Sequence, residues 1–323
     1  MSKPFTMVVL GAADPEYDAL WTSSPDVAEV VRFEHAQPQG LRFGRRSLGL
    51  GADAFLAAVK AVVTRPRARF LAVNPWTGAA LRLLGRRDIA VTGIYATEGS
   101  RSWRMLRRVL GDAPVVATVS IESEAWRAAG GRSAHVLYGT TFDYPERRPA
   151  AGPVRVFIGG SSDRDLALVE RIAAEAARSA TPILLTIAVG RAGETVTTES
   201  GSVVRRMGPV SQAEFGRALA DSDVVFLPLK DGDRAAGHMV AVGALQSGVP
   251  VASTRSIGMT GYVDGEYVRE IDRAAEVLPQ LSAIAVEMRD RAADIRSYWR
   301  RTHSREVGAA AVLAALRGLE QRP

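Results

Sequence analysis

The sequence predicts two doubly wound α/β domains in tandem, on three observations. Short runs rich in valine and isoleucine alternate with longer stretches of helical period, the pattern of β-α-β units around a parallel sheet. The alternation breaks at TFDYPERRPAAGP (141–153), where three prolines coincide with a loss of apolar periodicity. A second alternating series then starts at once. The fold class is α/β: two Rossmann-like domains facing a cleft, the first over 1–145 and the second over 152–300. The cleft is the place to look for a ligand, because open parallel sheets bind beyond the carboxyl ends of their strands.

In the first domain FTMVVLG (5–11), EVVRFE (29–34), ARFLAV (68–73), DIAVTGIY (88–95), APVVATV (113–119) and AHVLYG (134–139) read as strands. Helical periods fill 52–64, 77–86, 100–110 and 121–130. The second domain begins with VRVFIG (154–159), a helix over about 163–178, and strands PILLTIA (182–188) and SVVRRM (202–207). A helix over 211–220, strand VVFLP (224–228), a helix led by Gly237 and strand PVAST (250–254) follow, and the chain is helical from Asp272 onward. A terminal helix at about 304–320 is expected to pack back on the first domain.

Composition narrows the function. At 47% hydrophobic and 24% charged residues over 323 positions, this is the balance of a globular chain with sizeable cores. No apolar run reaches the ~18 residues a membrane helix needs. The first residues, MSKPFTMVVLGAADPEYD, lack a basic start, long apolar core and cleavage site, so a cytoplasmic location is expected. The absence of cysteine excludes disulfides and thiolate metal ligands. The net charge of +6 comes from 41 basic against 35 acidic residues, with arginine dispersed and lysine limited to Lys3, Lys60 and Lys230. Nucleic acid is not an expected partner, since no basic stripe with interleaved aromatics occurs. Anionic small molecules fit this charge. Peripheral contact with an anionic membrane fits GSRSWRMLRRVLG (99–111), where Arg101, Arg104, Arg107 and Arg108 surround Trp103, although a packed helix with a solvated basic face is the favoured reading.

Two strand-to-helix turns carry the chemistry. In VRVFIGGSSDRDLALVERIA a strand ends at Gly159-Gly160, with Ser161, Ser162 and Arg164 just beyond. Paired glycines permit close backbone approach to a ligand, and an arginine fork with helix N–H groups suits a phosphate oxygen. Ser162 or Asp163 as a plain N-cap is the structural alternative. In AAGHMVAVGALQSGVPVAST (235–254) a helix opens at Gly237 and His238, runs apolar nearly all round, and ends at Gly248. A helix apolar on every side is buried, and its N-terminus carries about half a positive charge, favourable for a diphosphate. His238 stands at that front, as a packed core histidine or as a ligand contact.

These stretches, with GPVSQAEFGRALADSDVVFLPL, ALQSGVPVAST and GMTGYVDGEYV in the same order, resemble the donor domain of retaining glycosyltransferases of the GT-B fold, family 4-like. VATVSIESEAWRAAGGRSAHVLYGTTFD is similar to that family's exit from the acceptor domain, so the likeness spans residues 113–271. The resemblance implies a nucleotide-diphosphate sugar as donor substrate, no further cofactor and no metal, and a small-molecule, glycan or lipid-linked acceptor. It implies Arg164 and His238 as catalytic residues, with Gly159, Gly160 and Ser161 beside the diphosphate. Met207, Gly208 and Pro209 would border the base, and Gly237 and Met239 would meet the sugar and phosphates. Tyr95, Glu98 and Arg101 are acceptor-side candidates, with ordinary surface placement the favoured reading.

The chain departs from the family pattern where two glutamates flank the Gly237 helix, with Ala235 and Gly243 in their places. The second glutamate binds donor ribose hydroxyls in the family, so Gly243 bears on nucleotide choice. It also motivates an alternative, a catalytically degenerate GT-B fold acting as a binding or partner subunit.

Overall fold

The computed structural model describes residues 3–34, 46–148, 150–160, 162–208, 210–232 and 236–321. Ser161, Pro209 and Ala235 lie outside the described residues. The chain forms two compact units, Met1–Val136 with Gly308–Pro323, and Leu137–Val307.

The first unit holds β1 (Phe5–Leu10), α1 (Pro15–Thr22), β2 (Val27–Phe33), α2 (Arg46–Thr64), β3 (Arg69–Ala72) and α3 (Pro75–Leu83). It continues through β4 (Ile89–Thr92), α4 (Arg101–Leu110), β5 (Val115–Ala117), α5 (Ser120–Ala128) and β6 (Ser133–His135). The sheet runs β2-β1-β3-β4-β5-β6, parallel throughout. Parallel strands covered on both faces need continuous apolar runs, and Phe70, Leu71, Val91, Val115 and Val116 are fully buried. Helix α1 was not anticipated, because PEYDALWT is short and weakly amphipathic. Its start is nevertheless fixed by Asp14, whose carboxylate accepts from the Tyr17 N–H at 3.0 Å, and by Pro15 in the first turn. In α4, Leu106 and Leu110 are buried and Trp103 packs edge-on to Trp126, while Arg101, Arg104, Met105 and Arg108 are exposed.

The second unit comprises β7 (Val154–Gly159), α6 (Leu166–Arg178), β8 (Ile183–Ala188), β9 (Val196–Thr197), β10 (Val203–Arg206) and α7 (Gln212–Ala220). Then come β11 (Val224–Leu227), α8 (His238–Ser247), β12 (Val251–Ser253), β13 (Val268–Glu270), α9 (Val277–Glu287) and α10 (Ala292–Thr302). Its sheet runs β13-β12-β11-β7-β8-β10-β9, parallel except for the short edge strand β9. The sequence reading lacked β9 and β13, which hold two and three residues.

The two units divide at Val136/Leu137, earlier than the proline-rich boundary at 145. The physical reason is that the linker is tied to the second unit. The Arg147 N–H donates to the Ser247 carbonyl at 2.7 Å, and its guanidinium pairs with Asp223 at 2.8 Å. Asp223 also holds Arg155 at 2.8 Å, so one carboxylate joins linker, β7 and the turn before β11. The last helix, α11 (Arg305–Glu320), returns to the first unit. Its Ala309, Leu313 and Leu316 join Phe5, Met7, Leu71 and Val116 in one core cluster, and Glu320 pairs with Arg69. In α10, Trp299 donates from Nε1 to the Thr140 hydroxyl at 2.7 Å and Tyr298 packs on Tyr267, both as packing residues.

Candidate functional site

Helix α8 follows β11 and is buried along nearly its whole length, with Ala241–Ser247 all enclosed. Gly237 stands at its N-cap with φ 85°, in the left-handed region that favours glycine. A Cβ there would crowd Leu229 at 3.0 Å and Met259 at 3.2 Å. Among the described residues no side chain caps this helix. Its first turn presents N–H groups and the positive end of the helix dipole without a side-chain acceptor among the described residues.

The loop after β7 folds toward the same place. Gly160 (φ 92°) lies against the Arg164 guanidinium, which any side chain at 160 would strike. Arg164 is 5% exposed, donates from Nε to the Gly159 carbonyl at 2.9 Å, and from Nη1 to the Ser162 carbonyl at 2.7 Å. Backbone pairing fixes the loop. Asp165 N–H donates to Pro228 and Lys230 N–H to Asp163, each across the end of β11. Burial lowers the Arg164 pKa to about 10, partly opposed by the Asp163 charge, so the guanidinium remains a cation at neutral pH.

The N-cap expected at Ser162 or Asp163 is Asp165, which accepts from the Leu168 N–H at 3.1 Å. The front of α6 is thus filled by its own carboxylate. Arg164 and the Gly160 backbone stay beside the front of α8, which has no side-chain cap among the described residues.

His238 is 4% exposed, and among the described residues neither ring nitrogen has a hydrogen-bond partner. Rings alone orient it: Tyr138 edge-on at 5.5 Å and Tyr262 at 5.3 Å, the latter stacked in turn on His303. Burial first, then the charges of Arg164 and His303, lower the His238 pKa to about 4. At neutral pH it is an uncharged imidazole whose one donor and one acceptor meet no partner among the described residues. Buried polar atoms without partners are rare, and a ligand is one of the ordinary explanations.

These groups share a cavity of about 280 Å³. One end is lined by Gly160, Ser162, Arg164, Gly237, His238 and Met239, and the other by Phe142, Tyr144, Gln212 and Phe215, with Ala236 and Val240 also lining the wall. Gly159 is buried behind it, and a Cβ there would strike Phe157 and Phe215. Met207 and Gly208 sit on the turn after β10. A Cβ at Gly208 (φ 67°) would meet the Ala192 backbone at 2.6 Å, and neither residue lines the cavity. In the first unit Tyr95 is 42% exposed with φ 51°, its phenol folded over Gly93, while Glu98 and Arg101 are exposed. None of the three lines this cavity.

The sequence reading missed the aromatic end. Phe142 and Tyr144 come from the linker and stack at 5.6 Å and 12°. Tyr144 lies in a slot between α7 and α8, where Cβ atoms on Gly216 and Gly243 would fall 2.5 and 2.6 Å from its ring. The available signal was the motif FDY itself, two aromatics spaced i, i+2 in a proline-rich stretch with no helix or strand to bury them. Among the described residues no cluster of three or more His, Asp or Glu is placed to hold a metal ion, and no helix is long and apolar enough to cross a membrane.

A pH dependence follows from the two buried histidines. His238 and His303 both have pKa values lowered by burial, so the unfolded chain takes up protons that the folded chain resists. Stability is full above the unfolded value near 6.5 and declines as the pH falls from there toward about 4. At pH 5 the His238 contribution alone amounts to about 2 kcal/mol. Urea unfolding at pH 7.5 and pH 5 measures it: His238→Phe loses less stability between the two values than the unmodified chain. An equal loss in both refutes the assignment.

No protein-family model and no curated protein matches this chain. Solved structures do. Sucrose-phosphate synthase from Thermosynechococcus elongatus is similar with a TM-score of 0.62 at 16% identity, over 93% of this chain and 85% of that one. Anabaena HepE in complex with UDP gives 0.63 at 15% identity, over 97% and 100%. A glycosyltransferase from Rickettsia africae gives 0.62 at 10% identity, over the full length of both. The likeness shows the fold: α/β with parallel sheets of Rossmann type, as in GT-B glycosyltransferases.

Proposed function

We propose that this chain is a glycosyltransferase that takes a nucleotide-diphosphate sugar and passes its sugar to an acceptor. One observation carries the reading: a single cavity gathers the front of α8, a buried arginine cation and a buried histidine, and among the described residues nothing caps that front or pairs either ring nitrogen. A diphosphate would satisfy all three at once, through α8 backbone N–H groups, the Arg164 guanidinium and a His238 N–H. The shared fold with a UDP-bound protein supports the same ligand class.

In the proposed reaction the bond between the anomeric carbon and the phosphate oxygen breaks as an oxocarbenium-like centre forms. The acceptor oxygen attacks the same face, giving retention, and its proton passes to the departing phosphate oxygen. Positive charge aimed at the leaving group supplies most of the stabilisation, so the scheme requires no metal. His238, neutral at working pH, acts as a hydrogen-bond donor rather than as a general acid. On this reading the enzyme is family 4-like and hexosyl-transferring, and works in the cytoplasm. The acceptor falls to the first unit, with Tyr95, Glu98 and Arg101 as polar candidates, and α4 supplies peripheral membrane contact where the acceptor is lipid-linked.

The test is a thermal-shift panel of nucleoside diphosphates and their sugars. At a hundredfold excess over Kd, one-site binding is expected to raise Tm by roughly 5 to 10 °C, and His238→Ala to reduce the rise. No shift and no slow hydrolysis across UDP, GDP, ADP and their sugars would end the reading.

A further inference from the structure

We propose that the aromatic end of the cavity is a nucleoside platform that does not read the pentose 2′-hydroxyl, so that 2′-deoxyribonucleoside diphosphates bind as well as ribonucleoside ones. This rests on the reading that the opposite end holds a diphosphate. A diphosphate held at Arg164 and the α8 front directs its nucleoside along the cavity toward Phe142, Tyr144, Gln212 and Phe215.

Reading a hydroxyl requires a fixed polar partner, and a site built around one rejects the analogue lacking it by orders of magnitude, because the partner is then left buried and unpaired. No described residue lining this cavity carries a carboxylate. Gln212 commits one amide N–H to the Tyr144 hydroxyl. The α8 face toward this end is bare at Gly243, and the α7 face at Gly216. The space that side chains there would need is occupied by the Tyr144 ring. The slot thus excludes a side chain from α8 and holds a flat apolar surface in its place.

Tyr144 is rigidly set: it is 8% exposed, its N–H donates to the Gln246 side-chain oxygen at 3.4 Å, and Arg147 anchors the linker three residues later. Phe142 lies nearly parallel on it and is half-buried, presenting a ring that lines the cavity. Stacking on such a ring is available to any base and indifferent to the sugar hydroxyls.

Calorimetric titration with UDP, GDP and ADP, with dUDP, dGDP and dADP, and with inorganic pyrophosphate tests this. For whichever base binds, the ribo and deoxy forms are expected to agree in Kd within about fivefold, far short of the discrimination a hydroxyl-reading site shows. Phe142→Ala should weaken both forms roughly tenfold while pyrophosphate binding stays unchanged. Gly243→Ala, which displaces the Tyr144 ring, should do the same. Circular dichroism and urea unfolding establish that each variant is folded. A ribo preference above about fivefold, or variants that leave nucleotide affinity unchanged, overturns the inference while the diphosphate reading stands. If neither pyrophosphate nor any nucleotide binds, the diphosphate reading fails and the inference falls with it.

Discussion

Replacing Arg164 with alanine is expected to weaken donor binding roughly ten- to hundredfold and to lower donor turnover at least a hundredfold, since removing one preorganised donor to a developing anion costs about 10²–10³ in rate. The guanidinium is buried beside the α8 front and holds its position through the Gly159 and Ser162 carbonyls. Loss of a charge-assisted hydrogen bond costs about 1.5–3 kcal/mol in affinity. The same substitution frees two carbonyls, so the variant is also expected to melt earlier. Arg164→Lys separates the two effects: it keeps a cation but loses the planar fork that spans both carbonyls and a phosphate. It should recover part of the binding and little of the turnover. Titration calorimetry and donor hydrolysis read these quantities, and an Arg164→Ala protein with unmodified affinity refutes the role.

Asp223→Ala is expected to have the largest effect on stability. Arg147 has a side chain 1% exposed and Arg155 one 16% exposed, and Asp223 accepts from both. Those two guanidinium groups hold the Asp223 carboxyl below its ordinary value despite its burial. Removing one partner of a buried ion pair leaves an uncompensated charge and costs about 3–5 kcal/mol. For a unit of this size that is roughly 10 °C in Tm. Asp223→Asn, which keeps the shape and loses the charge, should fall between. A melting temperature within a degree of the parent in both variants contradicts this account. The linker then loses its anchor, so nucleotide binding should weaken as well, through Tyr144.

The alternation of strands and helices was legible because burial of a parallel sheet on both faces imposes unbroken apolar runs, as in VVFLP. What escaped was short or cooperative. Strands β9 and β13 are too brief for any period to register, and α1 owes its existence to Asp14 and Pro15 more than to an apolar face. Gly237 and His238 could be singled out because a helix apolar on all sides announces its own burial, and a lone polar residue at its front stands out. The aromatic end could not. Tyr144, Gly216 and Gly243 are far apart in sequence, and two small residues in separate helices carry no sign that one ring fills both gaps. The α6 cap lies two or three residues beyond the positions read from the sequence, since Ser162, Asp163 and Asp165 are all good caps and only the pairing of the loop with the end of β11 selects among them.

The path of the chain through α11 makes the first unit discontinuous. The faces of Leu71 and Val116 are closed by Leu313 and Leu316, which follow the whole second unit along the chain. The second unit is a single continuous stretch, whereas the first closes its core only when a segment from beyond the second is in place. A chain cut after the second unit would leave an apolar strip of the first unit's sheet, around Leu71 and Val116, open to water.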